Sequence, residues 1–302
     1  MKENKDIIMK ENNELFTIIT CTYNRGGKLN KLFDSLTKQK LFNFKWYVID
    51  DCSTDNTKQV IKSWINNCKF NISYYRMKKN GGKYKALNFA FDKITTPLFI
   101  IIDSDDYLVN DGSVIIKNAW NKYKNKNISS IIMERGSTGI NDPMLKIKNS
   151  GHIDYRYYYM LRNHITGDYS DVFVTSCVQD FRFPEFENET FMSEQPLYYW
   201  MSQRYKSVFL SQVLTIGKYL NDGLSRNLRK LEIQNWQCTL YESSLFLGPD
   251  TPLWYRIKKG ILYDFVLLKT KKNIYSNIAS SPNKAILIIS LLPSIIYTLL
   301  KR

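Results

Sequence analysis

Residues 98–111 read LFIIIDSDDYLVND. An apolar run, Phe99 to Ile102, leads straight into three aspartates, Asp103, Asp105 and Asp106. Such a run bounded by polar residues predicts a buried strand that stops at the acidic knot. Carboxylates this close repel one another and raise each other's pKa, so the arrangement is costly unless a cation shares it. Two carboxylates on alternate residues suit Mg2+ or Mn2+, hard ions that also take diphosphate oxygens. Taken alone, aspartates at this place also serve as helix caps, and that alternative stays open on these residues.

The pattern repeats on the N-terminal side. FTIITCT (16–22) is a β-rich run ending at the turn cluster YNRGG, and residues 28–40 then place Leu29, Leu32, Phe33 and Leu36 at helical spacing. A second strand, Trp46 to Ile49, ends in Asp50 and Asp51. Ser53, Thr54 or Asp55 can cap the helix that follows, which spans about 58–66 with Val60, Ile61, Trp64 and Ile65 inward. A third strand, Ile72 to Arg76, precedes NGGK (80–83), a glycine turn opening a helix. Strand and helix alternating over 100 residues predict a mostly parallel sheet with helices on both faces, which binds ligands at the carboxyl ends of its strands. All these polar clusters lie at such ends. The glycines of NGGK let a backbone approach a ligand, with Lys83 and Lys85 supplying positive charge beside it; a plain β-turn is the other reading. Farther on, Ser129–Glu134, Val172–Val178 and Val208–Leu214 read as strands and 196–204 as a helix after a Ser193 cap, whereas 140–166 is tyrosine-rich and carries no clear period.

Four motifs in order, TIITCTYNR, VIDDCSTDNT, NGGKYKALN and IIDSDD, resemble the family 2 inverting glycosyltransferases of the GT-A fold. The likeness is strong over about 15–110 and weaker over 165–225. It implies a GT-A sheet flanked by helices and a nucleotide-sugar donor, most simply a UDP-sugar. It implies that Cys21, Thr22, Tyr23 and Asp51 hold the nucleobase, that Asp103 sits near the ribose with Ser104 beside it, and that Asp105 binds Mg2+ or Mn2+. Cys21 stands where the family usually has proline. The family's general base is an acidic residue after a linker, often in a Glu-Asp pair. Here FPEFENETFMSEQ offers Glu185, Glu187, Glu189 and Glu194, and Glu194 takes the matching position with Gln195 in place of the second acid. The other glutamates, or a capping role for Glu194, remain alternatives. Asp168 falls at the start of the acceptor-side wall or in a simple turn. His152 and His164 read as structural or surface groups.

The 43 Lys+Arg against 28 Asp+Glu give a net charge of +15, and residues 201–302 alone carry +10 of it. Such asymmetry predicts an anionic partner. Residues 253–272 interleave apolar and basic side chains, and 285–300 (AILIISLLPSIIYTLL) are apolar for 16 positions, short of the roughly 20 that cross a bilayer. Together they predict a region lying on an anionic membrane surface; packing of the helices on the catalytic domain is the alternative, and no nucleic-acid-binding module is recognisable. Five scattered cysteines without a CxxC pair fit reduced thiols, two histidines argue against a histidine metal cage, and the N-terminus lacks an apolar signal core.

The expected organisation is an N-terminal extension (1–14), a catalytic domain (15–222) with a donor half (15–110) and an acceptor half (111–222), and a helical basic region (223–302). The expected activity is transfer of a sugar to a cell-surface glycan or lipid-linked saccharide, at the cytoplasmic face of the membrane. A nucleotidyltransferase and a non-catalytic nucleotide-sugar-binding or membrane scaffold protein are the alternatives. The first lacks a glycine-rich nucleotide loop near the N-terminus; the broken Glu-Asp pair favours the second.

Overall fold

The alternation read from residues 16–101 builds four parallel strands in a computed structural model that describes residues 14–165, 167–218 and 227–300. These are β1 (Phe16–Thr22), β2 (Phe44–Asp50), β3 (Asn71–Arg76) and β4 (Leu98–Ile101), in spatial order β3-β2-β1-β4. Their crossovers are α1 (Leu29–Thr37), α2 (Thr57–Ile65) and α3 (Lys83–Phe91). The period of two sorts side chains to opposite faces. Phe16, Ile18, Trp46 and Ile100 pack against α1 and α2 through Leu29, Leu32, Leu36 and Ile61. Ile19, Ile49 and Phe99 pack on the other face against Tyr84, Leu87 and Ala90 of α3. Parallel strands bring all four carboxyl ends to one edge, where the motif residues stand.

The second half adds β5 (Tyr107–Leu108), α4 (Gly112–Tyr123), β6 (Ile128–Gly136), β7 (His152–Asp154), α5 (Arg156–Arg162), β8 (Tyr169–Val174), α6 (Gln195–Ser202) and β9 (Lys206–Ile216). β8 inserts between β4 and β6, antiparallel to both, while β6 and β9 run parallel. This mixed α/β architecture, parallel at its centre and flanked by helices, is the expected GT-A class. The strand predicted at 172–178 instead begins at Tyr169 and gives way to a 3-10 turn at Thr175–Cys177. Its partner β4 starts only at Leu98, after Pro97, so no ladder continues past Val174. The unassigned segment 140–166 supplies β7 and α5. Ile65, expected inward, is 38% exposed at the last turn of α2. The N-cap of that helix is Asn56, and Asp55 accepts from the Thr57 amide at 3.0 Å.

The C-terminal region is helical as expected: α7 (Leu228–Gln234), α8 (Trp236–Ser244), α9 (Leu253–Lys269), α10 (Ile274–Ser280) and α11 (Lys284–Leu300). The predicted boundary at 222/223 lies outside the described residues, as does the 1–14 extension apart from Glu14. α8 docks on the catalytic core through Cys238, and Phe246 and Tyr255 meet Leu161 of α5. α9 and α11 share a core of Val266, Leu267, Ile286 and Leu287. Gly260 permits their close approach, since a Cβ there would lie 2.7 Å from Ser290 Oγ. Ser290 donates to the buried Asp264 at 2.5 Å. The opposite side of α11 leaves Ile288, Ile289, Leu292, Ile295, Ile296 and Leu299 exposed at helical spacing. Among the described residues no helix is long and apolar enough to cross a membrane.

Candidate active site

Each aspartate of the 103–106 knot has its own protein cation. Lys83, the first residue of α3, reaches Asp103 Oδ1 at 2.5 Å. Arg25, from the turn after β1, lies 3.3 Å from Asp105 Oδ2. Arg135, near the end of β6, donates through Nε and Nη2 to both oxygens of Asp106 at 2.9 and 2.8 Å. These three pairs offset the mutual repulsion that the sequence posed as a problem. Asp106 is buried, and burial pushes its carboxyl up to about 6 against the opposing pull of Arg135. Gly217 packs over this pair: a Cβ there would fall 1.6 Å from Asp106 Oδ1. Asp106 therefore belongs to the framework, while the partly exposed Asp103 and Asp105 face the crevice.

Lys83 joins the two sides of the site. Its ammonium bonds Asp103 and also Glu194 Oε1, at the N-cap of α6. Burial pulls against the charged lysine, but the two carboxylates hold it well above the usual lysine range. Against partial desolvation in the crevice, the same ammonium keeps Asp103 below the ordinary aspartate value. Lys85, expected beside it, turns away and donates to the Phe186 carbonyl at 3.0 Å. Asp50 is likewise structural: fully buried, it accepts from the Ser53 amide at 2.8 Å and from the Tyr74 hydroxyl.

Asp51 shapes the NGGK turn. Its two oxygens accept from the Gly81 and Gly82 amides at 2.8 and 2.7 Å, so its first task is to hold the turn that aims Lys83. Gly82 has φ +87°, and a Cβ on it would meet the Thr190 carbonyl oxygen at 1.7 Å. Beside this turn, Thr22 is buried with its hydroxyl unpartnered among the described residues, Tyr23 is 44% exposed, and burial pushes the Cys21 thiol far up. Ser104 is buried within the turn after β4. Asn24 accepts from the Thr54 and Asp55 amides, tying the first motif to the second.

Of the candidate bases, Glu189 is committed elsewhere: its two oxygens accept from the Gln237 and Cys238 amides, capping α8. Glu185 is exposed and bonds Asn88 at 3.2 Å, and Glu187 is exposed. Glu194 is the glutamate whose carboxylate stands beside Lys83 and Asp103. The N-cap of α6 is Glu194 rather than the expected Ser193, whose hydroxyl accepts from the Gln195 amide at 3.2 Å. Asp168 lies 3.7 Å from Arg135 and is largely exposed. The rings of His152 and Tyr159 pack tilted at 5.0 Å, and those of His164 and Trp254 at 4.9 Å. All five cysteines are free.

The donor set offers two carboxylates, hard oxygen ligands of the kind Mg2+ and Mn2+ take. Among the described residues no group of three or more Asp, Glu, His or Cys is placed to hold an ion. A divalent cation therefore fits here only with further oxygens from a diphosphate and water, and with Arg25 drawn off Asp105. A separate cavity of about 460 Å³, lined by Glu14, Lys45, Cys68 and Phe70, contains none of these residues. The sequence reading missed Arg25 and Arg135. Arg25 was in view within YNRGG, but nothing local marks it as a partner of Asp105, 80 positions on.

Comparison with known proteins shows the family and the fold. The family described as Glycosyl transferase family 2 matches residues 17–177. Over 96 residues the chain is 35% identical to the poly(ribitol-phosphate) beta-N-acetylglucosaminyltransferase TarS of Staphylococcus aureus, covering 31% of this chain and 16% of that protein. The match thus spans less than a fifth of that relative's length. The crystal structure of S. aureus TarS residues 1-349 with UDP-GlcNAc superposes with a TM-score of 0.62 at 19% identity, over 91% of this chain and 79% of that one. A mannosyltransferase from Pyrobaculum calidifontis, solved with GDP-Man and Mn2+, gives a TM-score of 0.56 at 16% identity, over 94% and 83% of the two chains. Likeness at these identities concerns the fold.

Proposed function

The chain belongs to glycosyl transferase family 2, and we propose that within it the protein is an inverting transferase that moves one sugar from a UDP-sugar to a cell-surface or lipid-linked saccharide. The observation that carries this reading is the single ammonium of Lys83 between Asp103 and Glu194. It places a cation for a leaving diphosphate beside a carboxylate able to act as base.

Glu194 takes the proton of the acceptor hydroxyl as that oxygen attacks the anomeric carbon. The bond from that carbon to the diphosphate oxygen breaks on the opposite face, and its electron pair stays with the diphosphate. Lys83, released from the two carboxylates by the entering donor, meets the charge that grows on the leaving group. Thr22, Tyr23 and Asp51 line the place for the nucleobase, with Cys21 beneath them and Asp103 and Ser104 toward the ribose. When bound, Mg2+ or Mn2+ on Asp105, with Asp103 alongside, supplies further charge neutralisation for the diphosphate; the Mn2+ in the P. calidifontis structure supports that assignment.

The acceptor class is supported by the polymer named for the S. aureus relative. The same reading places the enzyme at the inner face of the membrane, docked through the exposed apolar side of α11. That side offers Ile288, Ile289, Leu292 and Ile296 to the interface, beside a region of net charge +10.

Titration calorimetry with UDP tests the donor site. We expect Mn2+ to strengthen UDP binding to the native protein and to lose that effect in Asp105→Ala, while Mn2+-free binding persists. Binding indifferent to Mn2+ in both proteins overturns the metal assignment, and no UDP binding at all overturns the choice of nucleotide.

A further inference from the structure

The residues on either side of Glu194 are held by the C-terminal helices. Lys259, in the middle of α9, is 5% exposed. Its ammonium donates to Gln195 Oε1 at 2.8 Å and lies 3.3 Å from Glu242 Oε1 on α8. The other oxygen of Glu242 accepts from Ser193 Oγ at 2.7 Å, and Tyr255 donates to Gln195 Oε1 at 3.5 Å. The faces of Phe246 and Tyr255 flank the ammonium at 5.0 and 5.7 Å. Ser193 and Gln195 are thus tied through one buried ion pair, and Glu194 between them points the other way, to Lys83.

We propose that Lys259 is a positioning residue for the base. With Glu242 it clamps Ser193 and Gln195, so that helices α8 and α9 fix where the Glu194 carboxylate stands. This rests on the reading of Glu194 given above. A buried ammonium is retained only where polar partners offset its desolvation. Here the partners are the residues that bracket Glu194, so the ion pair specifies the path of that segment. The position after Glu194 also acquires a reason to be an amide. Gln195 accepts from Lys259 while Glu242 supplies the countercharge; a second carboxylate at 195 would add negative charge beside Glu242. Displacement of a catalytic group by about 1 Å can cost on the order of 10²-fold in rate.

The test uses the full chain and a charge-balanced double variant, Lys259→Met with Glu242→Gln, because Lys259→Met alone leaves a buried carboxylate uncompensated. Hydrogen exchange by mass spectrometry reads the clamp without reference to turnover. Exchange across 190–198 should quicken at least roughly tenfold, while 98–108 stays protected and UDP affinity stays within about twofold. Turnover of the UDP-sugar that native protein hydrolyses fastest should fall roughly 10- to 10²-fold in kcat with KM little changed, and Lys259→Arg should recover part of it. Unchanged exchange across 190–198 overturns the proposal. So does loss of protection at 98–108 together with loss of UDP binding, which would make α9 a support of the whole fold. Glu194→Gln run in parallel separates the two ideas: if it turns over normally the base assignment fails, while the exchange result still decides whether the clamp exists.

Discussion

Two adjacent glycines in the 80–83 turn should respond very differently to one methyl group. At Gly82 the backbone has φ +87° and the added Cβ would lie 1.7 Å from the Thr190 carbonyl oxygen. With ψ at 161° this backbone lies in a region essentially reserved for glycine, where a residue with a Cβ costs about 1–3 kcal/mol, and forcing an atom into packed surroundings costs about 1–3 kcal/mol. The clash is with backbone, so no rotamer relieves it; the turn and the 183–193 segment must move apart. At Gly81 the nearest atom to a new Cβ is Lys85 Cδ at 3.1 Å, the middle of a flexible side chain. Gly82→Ala should therefore lose about 2–6 kcal/mol of a total that is typically 5–15 kcal/mol, and Gly81→Ala under about 1 kcal/mol. Because the two segments carry Lys83 and Glu194, the protein that remains folded should also lose turnover by about 10²-fold. Urea titration gives the stability difference, and calorimetry with UDP reads the donor site. Equal stability of the two variants would refute the close approach of turn and linker on which the site depends.

Two further outcomes follow from the C-terminal helices. Burial raises the Asp264 carboxyl to about 7 from an ordinary value near 3.8, so between those limits the folded protein binds more protons than the unfolded chain. The contribution of Asp264 to stability should therefore be greatest below about pH 3.8 and fall as pH rises toward 7, by about 1.4 kcal/mol per pH unit at most; relative to native protein, Asp264→Asn should remove that component of the pH dependence and raise the melting temperature at pH 8, and an unchanged pH dependence refutes the assignment. Replacing Ile289, Leu292 and Ile296 by Gln leaves the buried Ile286 and Leu287 untouched and should abolish pelleting with anionic vesicles while UDP binding persists, whereas equal pelleting removes α11 as the membrane contact.

The donor half was legible in the sequence because each of its parts is local. A β-run ending in a polar cluster recurs four times with three helices between, and parallel strands then leave the clusters nowhere to go but one edge. The partners across the site were not legible. Arg25 meets Asp105 because β1 and β4 lie side by side, and Arg135 meets Asp106 beneath Gly217 because β5 and β6 both pair with β9. Glu189 stayed an alternative to the preferred Glu194 in the sequence, and is set aside because α8 begins on its carboxylate. Of the two readings of the C-terminal region, packing on the catalytic domain is seen directly in the fold. α8 and α9 pack on the catalytic core, and α11 leaves a mostly apolar side exposed.

The base assignment is tested most directly by Glu194→Gln, which keeps the size and shape of the side chain and removes its ability to take a proton. With the donor that native protein turns over fastest, kcat should fall roughly 10²- to 10⁴-fold while UDP affinity, measured by calorimetry, stays within about twofold. Turnover equal to that of the native protein would contradict the account and move the search to the exposed Glu185 and Glu187.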